Sequence, residues 1–93
     1  LQINQVPKGL FIMALALSDI QAGIVLDWQS ETWPDKTSRW LVLEELEHTT
    51  DKEKRFNIFC MYSTAVISSG INQPTTYIFH NENIHRFSIH SQI

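Results

Sequence analysis

RFNIFCMYSTAVISSG, residues Arg55 to Gly70, decides how the chain is read, because between Phe56 and Ile67 only Asn57, Ser63 and Thr64 are overtly polar. A helix start and stop flank it. Thr50-x-x-Glu53 has the spacing of a capping box, and Gly70 falls where a left-handed C-terminal residue is expected. At 100° per residue, Phe56, Phe59, Cys60, Ser63, Val66 and Ile67 lie on one side, widened by Ile58, Tyr62 and Ala65. Only Asn57, Thr64 and Ser68 form a polar stripe, so the spacing predicts a mostly buried helix from Lys52 to Ser69. A long strand buried on both faces is the rival reading, supported by Ile58, Thr64, Val66 and Ile67. Length and the two caps favour the helix.

Downstream, TTYIFH and IHRFSIH are rich in β-branched and aromatic residues and enclose the turn-forming NEN. They predict a C-terminal β-hairpin, Thr75 to His90. A three-residue loop at Asn81 to Asn83 places Tyr77, Phe79, Phe87 and Ile89 on one face with His85 near the tip. Thr76, Ile78, His80, Arg86, Ser88 and His90 take the other.

Upstream, Thr37 to His48 (TSRWLVLEELEH) reads as a second helix from its Leu, Glu and Arg content and the recurrence of Trp40, Leu43 and Leu46. Glu44, Glu45 and Glu47 would then crowd a helix C-terminus, and Lys52, Lys54 and Arg55 the next N-terminus, both against the dipole. Mutual pairing across HTTD is the plain account of that arrangement. Leu10 to Trp28 is ambiguous: MALAL favours a helix ending near Gly23 with GIVLDW as a strand, yet two strands around SDIQA fit equally. The expected fold is therefore α+β: a small antiparallel sheet with the C-terminal hairpin, packed on a central buried helix. A winged-helix-like order of elements is the alternative.

Ninety-three residues make one domain, 1–93, of modest stability. The chain is 43% hydrophobic and 18% charged, against roughly 25% charged in average soluble chains. That shortfall hints at surface covered by something else. Few Gly and Pro, and no polar low-complexity tract, argue against disorder. A formal charge of −3 argues against a general polyanion binder. The single cysteine, Cys60, excludes an internal disulfide and a cysteine zinc cage, and makes a cytosolic or organelle-matrix setting the default. The uninterrupted apolar run Leu10 to Leu17 is far short of the roughly 20 residues of a membrane span, so it reads as core. Beginning at Leu1 rather than Met, the chain reads as a processed product or a fragment.

Candidate chemistry is sparse. Cys60 sits mid-way along the apolar side of its expected helix, where a free cysteine is an ordinary core residue rather than an accessible thiolate. His80, Glu82, His85 and His90 are close in sequence and of zinc-binding type, but the expected hairpin turns His80 and His85 to opposite faces. The Walker, dinucleotide, GxSxG and HExxH patterns are absent. No cofactor is implied, and catalysis is the least supported class. In a winged helix, Lys52, Lys54 and Arg55 would open the recognition helix and Arg86 the wing. Against it, the exposed stripe is too narrow for a DNA groove and Glu44, Glu45 and Glu47 repel phosphate.

Trp28, Trp33 and Trp40 cluster around SETWPDK, and Trp33, before Pro34 in a polar segment, is the one expected to face a partner. Protein interaction is the expected role, as an accessory subunit or homo-oligomer, with Trp33, Lys52, Lys54, Arg55, His80 and Arg86 as candidate contacts. A nucleic-acid-binding module is the alternative.

Overall fold

A computed structural model describes residues 15–64 and 71–92, and their regular structure is mostly antiparallel β-sheet rather than the expected α+β arrangement. The strands are β1 (Ile24–Gln29), β2 (Thr37–Glu45), β3 (Glu53–Ser63), β4 (Thr75–His80) and β5 (Phe87–Gln92). Short 3-10 turns occupy Leu17–Asp19 and Ile84–Arg86. One five-stranded sheet results, in the order β4-β3-β2-β1-β5.

The central buried helix is overturned, for Glu53–Ser63 is an eleven-residue strand. Its inward positions Phe56, Ile58 and Cys60 recur every second residue and are 1%, 2% and 8% exposed. That alternation is hard to see in the sequence because outward-facing Phe59, Met61 and Tyr62 are apolar or aromatic too, which imitates a helix with a wide buried arc. A bulge adds to the confusion. Arg39 pairs with Tyr62 and Trp40 with Cys60, so Met61 is the extra residue and the alternation breaks there. Met61 and Tyr62 both stay exposed, at 50% and 55%.

The supposed capping box is a turn: the Thr50 hydroxyl accepts the Lys52 and Glu53 N–H groups at 3.1 Å, satisfying local backbone in the bend before β3. Gly70, the expected helix stop, lies outside the described residues, as do residues 65–69 before it.

Thr37–Glu45 is likewise a strand rather than a helix, paired on one side with β1 and on the other with β3. With neither helix present, the dipole argument for opposed charge clusters falls. The contacts formed there are Arg55 with Glu53 at 3.5 Å and Asn57 Nδ2 donating to Glu44 at 3.3 Å. No winged helix is possible where the expected reading helix is a strand.

The C-terminal pair of strands exists, but not as a hairpin. β4 pairs with β3, while β5 crosses to the far edge and pairs with β1. In a flat sheet of five strands the outer two stand about 19 Å apart, four spacings of about 4.8 Å. Yet the rings of Phe79 on β4 and Phe87 on β5 are 5.3 Å apart, and Tyr77 is 5.7 Å from Phe87. The sheet is therefore rolled into a partly closed barrel whose last seam is made by side chains. Phe56 joins the same cluster, edge-on to Phe79 at 6.1 Å. Burial among these rings pushes the Tyr77 phenol above its ordinary value.

Six residues, 81–86, make the crossing from β4 to β5. Asn83 holds them: its amide nitrogen donates to the Ile78 carbonyl at 2.9 Å and its amide oxygen accepts the His80 N–H at 3.0 Å. The following 3-10 turn drops Ile84 into the core at 7% exposure. Leu17 and Ile20 join the same core, followed by Gly23 at φ 94°, whose N–H donates to the Val42 carbonyl. Ile24–Gln29 resolves the ambiguous upstream segment as a strand from residue 24 onward. The residues of LFIMALAL before Leu15 lie outside the described residues. Among the described residues, no helix is long and apolar enough to cross a membrane.

Candidate functional site

A cleft of about 530 Å³ opens where the end of β1, the start of β2, the end of β3 and the start of β5 converge. Its walls include Asp27, Trp28, Glu31, Arg39, Tyr62 and Arg86. Pairing register creates the first half of it: Asp27 lies opposite Arg39 on β2 and opposite Ser88 on β5, while Arg39 lies opposite Tyr62 on β3. Arg39 Nε donates to Asp27 Oδ1 at 2.7 Å and Nη2 reaches Oδ2 at 3.4 Å. This fork-on-carboxylate contact raises the guanidinium above its already high value, with the carboxylate hydrogen bond as the leading cause. His90 Nδ1 stands 3.3 Å from the same carboxylate.

The second half is built by a loop and a turn far apart in sequence. Glu31, just beyond β1, meets His85 Nε2 at 2.7 Å and Arg86 Nη2 at 3.2 Å, both from the second 3-10 turn. The His85 hydrogen bond, followed by the Arg86 charge, holds the Glu31 carboxyl below the usual carboxylate range. Each carboxylate of the cleft is thus met by one guanidinium, Asp27 by Arg39 and Glu31 by Arg86. Paired charges and aromatic groups share one surface.

The loop of residues 30–36 forms one lip. The Ser30 hydroxyl accepts the N–H groups of Thr32 and Trp33 at 3.2 and 3.0 Å. Ser30 N–H donates to the Lys36 carbonyl at 3.0 Å, and Lys36 N–H to the Trp33 carbonyl at 2.8 Å. Gln29 Nε2 donates to the Pro34 carbonyl, and the Thr64 hydroxyl from the end of β3 to the Asp35 carbonyl. This closed set of bonds presents Trp33 at 61% exposure, whereas Trp28 and Trp40 are half-buried against the core.

Of the six candidate contacts read from the sequence, Arg86 lines the cleft and Trp33 stands on its lip. The other four gather elsewhere. Register places Glu53 opposite His80 and Lys54 opposite Phe79, so Lys52, Lys54, Arg55 and His80 collect where β3 begins and β4 ends. His80 Nδ1 there accepts the Glu82 N–H at 3.1 Å. Asp27, Glu31, Arg39 and Tyr62 were missed altogether. Nothing in the linear sequence ties Asp27 to Arg39 or Glu31 to His85, since those pairs exist only through strand register and barrel closure.

The remaining titratable groups are separated. His80, His85 and His90 attend three different carboxylates, those of Glu82, Glu31 and Asp27. Among the described residues no three of His, Cys, Asp and Glu converge on a common point. Cys60 faces the barrel interior, and its thiol hydrogen-bonds the Tyr62 carbonyl at 3.5 Å. No family model, curated protein or solved structure matches this chain.

Proposed function

We propose that this domain is a protein-interaction module, an accessory or assembling subunit rather than a catalyst, and that it docks through the cleft between the 30–36 loop and the second 3-10 turn. The observation that carries this reading is the state of the cleft's charged groups. Asp27 and Glu31 are each spent on an arginine of the same chain, Arg39 and Arg86 respectively. What it offers instead is a half-buried Trp28, an exposed Tyr62 and guanidinium planes held in place by their carboxylates. Aromatic and arginine side chains in such a setting are the usual carriers of binding energy between proteins. The low charged fraction of the chain points the same way.

A photo-crosslinking amino acid placed at position 62, and as a control at the exposed Glu45, tests this in an extract of the native source. The expected result is one discrete adduct at position 62, absent at position 45 and lost on Arg86→Glu. An absence of any adduct at position 62, or the same adducts at both positions, overturns the reading.

A further inference from the structure

We infer that the partner in this cleft is a second copy of the same chain, and that each copy inserts Trp33 into the other's cleft about a twofold axis. The inference rests on the interaction reading above and names its partner.

The chain carries both halves of such a contact side by side. Trp33 is 61% exposed, and it does not line the cleft of its own chain. The loop that carries this indole is fixed by six hydrogen bonds, so its backbone need not be ordered on binding. Ser30 and Glu31, three and two residues before Trp33, form part of the wall of the cleft itself. Knob and hole therefore share one loop. When both lie beside the same point of the surface, a twofold axis through that point lets two copies exchange knobs reciprocally, which is the geometry of a closed, self-complementary dimer.

The hole also fits the knob chemically. An ion entering the cleft would meet carboxylates and guanidiniums already paired with each other, but a neutral aromatic ring meets favourable surfaces. Arg39 uses Nε and Nη2, in the plane of its guanidinium, to hold Asp27, so its hydrogen bonds to that carboxylate do not occupy its flat faces, and its side chain is 37% exposed. The Tyr62 ring stands at 55% exposure beside it, cross-strand from Arg39. At about 530 Å³ the cleft is within the roughly 300–1,000 Å³ of sites that enclose small ligands, ample for one indole.

Sedimentation equilibrium of the purified chain, from micromolar to several hundred micromolar, provides the test. Wild type is expected to show a monomer–dimer equilibrium. Trp33→Ala and Tyr62→Ala should each weaken it about 30-fold or more, with unchanged circular dichroism and melting because both side chains are exposed. The decisive arm mixes the two variants. A Trp33→Ala chain keeps its cleft and a Tyr62→Ala chain keeps its knob, so the mixture forms a dimer with one intact contact and should associate more tightly than either variant alone. A wild-type chain that stays monomeric throughout, a Trp33→Ala variant that dimerises normally, or a mixture no tighter than its components overturns the proposal. A monomer that still gives a discrete heterologous adduct at position 62 refutes self-association alone and leaves the interaction role standing.

Discussion

Glu31 shows how much one side chain can organise when it is met by two cations from another part of the chain. It ties the 30–36 loop to the second 3-10 turn, and so ties the lip that carries Trp33 to the wall that carries Arg86. Its folded-state pKa lies below the unfolded one, so its contribution is present in full above the ordinary glutamate value of about 4.3 and is lost as pH falls through the lower folded value. Wild type and Glu31→Gln should therefore differ in melting temperature at pH 6, and the difference should shrink steadily toward pH 3. A gap that is unchanged over that range would show that the carboxylate is idle. Because the pair is exposed, added salt should narrow the gap at pH 6 as well. In sequence Glu31 is one more polar residue in SETWPDK, whereas the exposure of Trp33 in the same segment followed from its polar neighbours and the proline after it. Exposure is a local property; ion pairing across 54 positions is not.

At the scale of elements, β3 is the instructive case. Helix and strand readings of Arg55 to Gly70 differ in which phenylalanines share a side: a helix groups Phe56 with Phe59, a strand separates them. The structure puts Phe56 in the core at 1% exposure, and Phe59 half-buried on the outer face opposite Leu41. Phe56→Ala should consequently cost about 3–5 kcal/mol in urea denaturation and Phe59→Ala less than half as much. Equal losses would revive the helix. TTYIFH was legible as a strand because its β-branched and aromatic content is strong and its outer positions are largely polar. Its partner was not legible, because NEN carries good turn chemistry whether the next strand folds back on its neighbour or crosses to the other edge. Asn83 and buried Ile84 choose the second course, and that choice depends on a core already present to receive Ile84.

The whole molecule is held by contacts between distant parts of the chain. β1 pairs with β5, bringing Ile24 opposite Gln92, and the aromatic seam of Tyr77, Phe79 and Phe87 joins the two outer strands. Loop-closure entropy must be spent before such pairings form, so folding is expected in milliseconds to seconds rather than the microseconds of helical bundles of similar size. Stopped-flow refolding from urea checks this, and complete refolding in microseconds would contradict an architecture in which β1 and β5, the first and last strands among the described residues, are neighbours. The same closure assembles the cleft from β1, β2, β3 and β5, four strands that no short window of sequence contains.

From its sequence alone this chain is recognisable as a small domain with a strand at Thr75 to His80, a strand within GIVLDW, a buried cysteine and an exposed Trp33. Those properties depend on the residue and its near neighbours. Tertiary structure decided that Thr37–Glu45 and Glu53–Ser63 are strands, that β5 pairs with β1, and that Asp27, Glu31, Arg39 and Arg86 meet in one cleft. The reason is physical: Leu, Glu and Arg in β2, and apolar residues on both faces of β3, favour or tolerate helix locally. Only pairing on both edges and burial of Val42, Phe56 and Ile58 in a shared core outweigh that preference.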